Sequence, residues 1–298
     1  MGGSASRPDP TPSKPDPPPR QELETPWRRI VWGQKEVLKK RLEELSVSNP
    51  DVQHIRILVV GQIGAGKSSF INSVNNTIQG RITSTALVDS CDCPCSQSFT
   101  KKLTIHRFIN ANGYLPFSLI DTMGLQPTLM AGCLPEDIIN AVYGHVKTDY
   151  EFDPEEPLSH RSEDYISDPL LSDQAFCLVY IVDATTIDCL DERLADKLLI
   201  IRRRITDKRI PQVIIMTKVD EACPLVKKDL KKIYNSRKIN EKVQMCSNKI
   251  GVPVNHIFPV KNYNDEININ DDVDVLILKA LDQIVNLANN RLRDAASN

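Results

Sequence analysis

No apolar run in this sequence is long enough to cross a bilayer. The longest, Ala175 to Val182, has eight residues, against the roughly 20 that a membrane helix requires. The polar N-terminus contains no apolar stretch to serve as a signal core. Cysteine is sparse, 8 in 298 residues, which excludes a disulfide scaffold. A dominant charge is missing too: 37 Lys and Arg stand against 39 Asp and Glu, net −2. No overall field therefore points toward nucleic acid or an anionic membrane. What is present is 41% hydrophobic residues, enough for a core. The expectation is a soluble, reduced, cytoplasmic protein with no nucleic-acid partner.

Residues 1–20 carry seven prolines and no large apolar side chain, so a disordered Pro-rich tail is expected over 1–24. Pro12 to Pro15 has the spacing of a proline-rich ligand, with a merely solvated tail as the competing reading. Met1 to Ser6 fits the pattern for myristoylation of Gly2. One acyl chain gives only marginal membrane affinity, so membrane association is expected only if Gly2 carries it. Residues 25–50 read as a helical arm with Val37, Leu38, Leu42 and Leu45 on one face, closed by Pro50. Trp27, Ile30 and Trp32 are expected to pack the arm onto the domain that begins at residue 51.

From residue 51 to 298 strands and helices alternate. The runs "IRILVV", "AFCLVYIVD" and "PQVIIMTK" are apolar without alternation, as parallel strands covered on both faces should be. Helices are expected over Ser68–Thr77, Pro135–Val146, Cys189–Ile205, Leu225–Ser236 or longer, and Asp271–Arg293. The expected fold class is α/β, three layers around a mostly parallel central sheet; "GQIGAGKS", after the first of these strands, makes it a phosphate-loop NTPase domain.

The phosphate loop is "GQIGAGKS", matching G-x-x-x-x-G-K-[ST] at Gly61, Gly66, Lys67 and Ser68. Gly61, Gly64, Ala65 and Gly66 let backbone N–H groups curl around a phosphate chain. Lys67 neutralises β/γ oxygens, Ser68 and Ser69 open the helix whose N-terminus faces the anion, and the Ser68 hydroxyl is placed for Mg²⁺. "LIDTMG" then ends a strand in Asp121 with Gly124 three residues on. That pair is suited to hold Mg²⁺ through water and to meet the γ-phosphate.

"VIIMTKVD" ends a further strand in Thr217, Lys218, Val219 and Asp220. It resembles the [NT]-K-x-D base-reading signature of the GTPase superfamily. A carboxylate there accepts from the guanine N1–H and exocyclic amine, donors that adenine does not offer as a pair. The expected ligands are therefore GTP or GDP with Mg²⁺. In "IFPVKNY", Val260, Lys261 and Asn262 are candidates to back the base. Thr100 is the first choice for the threonine that covers Mg²⁺, giving the metal set Ser68, Thr100 and Asp121. Ser98 is second, and Thr83 and Thr85 stay open.

Catalysis is less legible. Many small GTPases put a water-orienting glutamine directly after D-x-x-G; here Leu125 stands there, and Gln126 comes next as a weak candidate. Slow intrinsic turnover is expected. Cys91, Cys93 and Cys95 lie close together, but structural zinc normally takes four ligands. The acidic insert 147–173 reads as a mobile excursion, either partner-binding or merely solvated.

The segments "PWR", "VVGQIGAGKSSFINSV", "SFTKKLTIHRF", "FSLIDTMGL", "AFCLVYIVDA" and "ININDDVDVLIL" together resemble the interferon-induced protein 44 family, over most of 25–290. The resemblance implies a cytoplasmic, interferon-induced GTP-binding protein with antiviral or antiproliferative association. Family members can carry an N-terminal TLDc domain. With about fifty residues before the first strand, this sequence is expected to lack it. Three functional readings stay open. One is a slow Mg²⁺-dependent GTPase working with a protein partner or by self-association through its nucleotide face. The others are a non-hydrolysing GTP/GDP-stabilised interaction module and a myristoylated, membrane-associated assembly GTPase.

Overall fold

The computed structural model describes residues 21–83, 86, 100–128 and 131–295. Residues 1–20 of the expected tail, with Gly2, lie outside them, as do Thr85, Ser98 and the three clustered cysteines. Residues 21–24, expected to belong to the tail, are instead held against the domain, where Glu22 bridges Ser236 and Leu23 N donates to Asn235 O at 2.7 Å.

The elements run α1 (Lys35–Glu43), β1 (Ile55–Gly61), α2 (Lys67–Gln79), β2 (Thr104–Asn110), β3 (Gly113–Asp121), α3 (Pro135–Val142) and β4 (Cys177–Asp183). Next come α4 (Glu192–Asp207), β5 (Gln212–Thr217), the short α5 (Val219–Ala222) and α6 (Pro224–Lys228), α7 (Arg237–Ile250), β6 (Ile257–Pro259) and α8 (Asp271–Ala295). Among the described residues the sheet has six strands in the order β2-β3-β1-β4-β5-β6. Only the β2–β3 pair is antiparallel. Helices α1, α2 and α8 pack on one face, and α3, α4 and α7 stack together on the other. Every residue of β4 is buried, as are all but the second of β1 and the first of β5. This is what continuous Val/Ile/Leu runs achieve in a sheet covered on both sides.

Strand β1 has β3 on one side and β4 on the other, so the strand order reverses at its C-terminal end. In open α/β sheets that crevice is where ligands bind. Gly61, Asp121, Asp183 and Thr217 all end their strands at this edge.

The arm packs on the α8 side. Leu38 and Leu42 are 1% and 2% exposed, each burial being worth about 1.5–3 kcal/mol. Val37, expected on the same face, is half exposed; it lies one residue, about 100°, away from the Leu38–Leu42 stripe. The helix also ends at Glu43, well before Pro50. Ahead of it, Trp27 packs edge-on to Tyr234. Arg28 donates to the carbonyls of Val254 and Ile257, at 2.6 and 2.7 Å.

Two further expectations are corrected. The single helix over Leu225–Ser236 is instead α6 and a 3₁₀ turn, broken at Asp229 in extended conformation. Ser236 is in fact an N-cap, its hydroxyl accepting from the Ile239 amide, and it starts α7. Nor is the acidic insert a loose excursion. Tyr150, Phe152 and Leu158 are buried, and His145 stacks on Tyr165. The insert pairs with the chain next to Thr100: Leu103 N donates to Tyr150 O, Asp149 N to Leu103 O and Phe152 N to Lys101 O, each at 2.9 Å. Its few apolar side chains outweigh its charge because they land on an otherwise open edge.

Candidate functional site

The phosphate loop closes between β1 and α2. Gly64 and Gly66 take φ of +74° and +90°, conformations other residues avoid. A side chain at Gly61 would collide with the Ile181 carbonyl on the neighbouring strand, and one at Gly124 with Ile63 and the Lys67 ammonium. Lys67 is almost fully buried, its Nζ 3.4 Å from the Gln62 carbonyl. Ser69 lies on the first turn of α2, its carbonyl accepting from Ser73 Oγ.

Ser68, Thr100 and Asp121 come together. The hydroxyls of Ser68 and Thr100 both donate to Asp121 Oδ2, each at 3.3 Å. Asp121 is 1% exposed and its Oδ1 has no partner. Burial pushes this carboxyl above the usual carboxylate range, while the Lys67 and His106 charges and the two hydroxyls pull it back. A buried acceptor with one oxygen unpartnered beside two hydroxyls fits a hard divalent cation surrounded by oxygen. Thr83 is elsewhere: its amide and hydroxyl bond to Asn76 Oδ1, far along α2. Among the described residues no group of three His, Cys, Asp or Glu could hold a metal.

The Thr217–Asp220 turn lies across the loop from this cluster. Thr217 is completely buried, and its hydroxyl donates to Ala65 O at 2.7 Å and faces Val182 O at 3.2 Å. It therefore ties β5 to the phosphate loop. Lys218 takes a left-handed backbone conformation and its Nζ sits 2.8 Å from Asp183 Oδ2. Asp220 lies 3.7 Å from the Lys261 ammonium, which also pairs with Glu266 at 2.7 Å. Burial opposes the Lys261 charge, but Glu266 and Asp220 more than offset it and raise its pKa. Asn262 donates from Nδ2 to the Gly66 carbonyl at 3.1 Å and keeps a buried, unpartnered Oδ1.

Asp183 did not stand out in the sequence. Its signal was there: it ends the strand "CLVYIVD" in register with Thr217, and it orients Lys218 while its other oxygen accepts from Thr185.

Downstream of Asp121, Gly124 leads into Leu125, which is fully buried. Leu125 N donates to Gly61 O at 2.9 Å and Ile63 N to Leu125 O at 3.2 Å. The Gln126 carbonyl is held by Lys197 at 2.8 Å. The position that carries a catalytic glutamine in many small GTPases is here part of the core.

No family model matches the chain. It is 34% identical over 269 residues to human interferon-induced protein 44, covering 89% of this chain and 60% of that protein. With human interferon-induced protein 44-like it shares 32% over 245 residues, 82% of this chain and 53% of the relative. The chain thus spans a little over half the length of the curated relatives it matches. Among solved structures, Toc33 from Arabidopsis thaliana in complex with GDP and Mg²⁺ superposes with a TM-score of 0.50 at 14% identity. That match covers 87% of this chain and 93% of Toc33, and it places the fold with the phosphate-loop GTPases. Over the segment it shares with these relatives, the chain is similar to the interferon-induced protein 44 proteins.

Proposed function

We propose that the chain binds GTP and GDP with Mg²⁺ in the crevice at the end of β1 and acts in the interferon response as a nucleotide-dependent switch with slow intrinsic hydrolysis. The observation that carries this reading is the meeting of Ser68 and Thr100 on one oxygen of buried Asp121. Those three residues would hold the ion, which when bound neutralises charge on the phosphate oxygens. Lys67 and the N-terminus of α2 supply fixed positive potential to the same phosphates. Asp220 reads the guanine N1–H and amine, and the 260–262 segment backs the base. Kinship with proteins named for induction by interferon supports the immune role. An antiviral function, a cytoplasmic location and a protein partner at the nucleotide face belong to the same proposal. No helix among the described residues is long and apolar enough to cross a membrane.

A second reading, a module that holds GTP without cutting it, is favoured by one observation. Leu125 replaces any water-orienting side chain after Gly124 and faces the core. The test of binding is calorimetric titration with GTP, GDP and ATP, with and without Mg²⁺. Guanine nucleotides should bind at least about 100-fold tighter than ATP, and GTP should weaken when Mg²⁺ is chelated. Equal affinity for ATP would overturn the reading of Asp220.

A further inference from the structure

One buried carboxylate anchors the loop that follows β6. Asp274, in the first turn of α8, is completely buried. Three elements meet on it. Thr77 of α2 donates to Asp274 Oδ1 at 2.7 Å, and Tyr263 donates its hydroxyl to the same oxygen at 2.8 Å. Lys35 of α1 sits 2.7 Å from Oδ2, and also 3.0 Å from Asp271.

Tyr263 immediately follows Asn262, so its anchorage is the anchorage of the base-side loop. Its hydroxyl accepts from Asn270 N at 2.7 Å, and its own amide donates to Ser73 Oγ on α2 at 2.9 Å. Three consecutive residues therefore fasten the loop in three directions. Lys261 reaches Asp220, Asn262 reaches the phosphate-loop carbonyl of Gly66, and Tyr263 reaches Asp274.

We propose that Asp274, charge-balanced by Lys35 of the N-terminal arm, is a positioning residue for the nucleotide: through Tyr263 it fixes the base-side loop, so that the arm sets guanine-nucleotide affinity. This inference rests on the GTP-binding reading. The physical reasons are two. A buried carboxylate is stable only when paired and hydrogen-bonded, so its geometry depends on Lys35. A loop released from Tyr263 samples more conformations, and apparent affinity falls by the fraction still competent to bind.

The test compares the wild-type chain with Tyr263→Phe, Lys35→Met and Lys35→Arg, reading dissociation constants for a fluorescent GDP and, by competition, for inorganic pyrophosphate. Tyr263→Phe, which removes the bonds of the hydroxyl to Asp274 and Asn270, and Lys35→Met, which removes the ion pairs to Asp274 and Asp271, should each weaken GDP about tenfold or more. Pyrophosphate, which lacks the base, should stay within about twofold, and Lys35→Arg should recover most of the GDP affinity. Tyr263→Phe removes a single hydroxyl and carries the test should Lys35→Met not fold. Unchanged GDP affinity in Tyr263→Phe, or equal loss of GDP and pyrophosphate, would overturn the assignment while leaving GTP binding intact. A wild type that binds no guanine nucleotide would overturn both.

Discussion

Leu125 pairs with Gln62 as a parallel bridge, so the residue after the Asp121–Gly124 turn is fastened to the phosphate loop itself. Gly132 completes the fastening from the other side: it bridges Leu125, and the amide of Cys133 next to it donates to Gly124 O at 3.1 Å. Held this way, Leu125 buries its side chain in the core.

Leu125→Gln should therefore fail to create a faster GTPase. The amide would enter a fully buried site without a partner, costing about 2–4 kcal/mol of stability. Thermal melting should show the loss, and single-turnover hydrolysis should stay within about twofold of wild type. A large acceleration would mean that position 125 can face the γ-phosphate after all.

Asp220→Asn should lower GTP affinity about 100-fold or more, because an amide cannot accept both guanine donors and introduces one of its own. Competition against ATP reads the outcome. Guanine preference surviving the substitution would remove Asp220 from the base site.

Asp137, in the first turn of α3, supplies a pH signature. Its Oδ1 accepts from Leu158 N at 2.7 Å and so clasps the acidic insert, while Oδ2 is unpartnered. Burial, opposed by that hydrogen bond and reinforced by Glu136 and Asp153, lifts its pKa from 3.8 to about 6. Between those values the folded protein holds a proton that the unfolded chain has released, so this group's contribution to stability falls as pH rises through that window. Asp137→Asn keeps the acceptor for Leu158 and removes the charge. It should raise the melting temperature at pH 7 and flatten the dependence between about pH 4 and 6. An unchanged slope would contradict this account of Asp137.

Phe152 tests whether the insert holds the segment after Thr100. It is 4% exposed and packs edge-on to Tyr150. Phe152→Ala should cost about 3–5 kcal/mol and speed amide exchange at Leu103, whose N–H bonds to Tyr150 O. Exchange at Leu103 identical to wild type would separate the two segments.

The strands and the nucleotide motifs were legible because each depends on local chemistry. Val59 and Val60 bury on both faces of the sheet, and Gly66 is needed where φ is positive. Thr100 could be chosen because it lies between the phosphate loop and Asp121 and leads straight into a strand; that this strand pairs beside Asp121 shows only in the sheet. What escaped depends on distant partners. Tyr150 and Phe152 read as two apolar residues in an acidic stretch until the edge formed by Lys101–Leu103 is supplied. Asp274 reads as one more acid in a helix's first turn, since nothing local reveals Lys35 at the far end of the chain. Ser236 reads as a helix end, and its capping role shows only once the break at Asp229 is known.

The central claim is tested most directly by loading the purified chain with GTP and Mg²⁺ in the presence of competing ATP, then chromatographing the bound nucleotide over several hours. The account predicts that GTP is retained over ATP and converts slowly to GDP. GTP that stays intact would leave the non-hydrolysing module as the function, and ATP in its place would contradict the account.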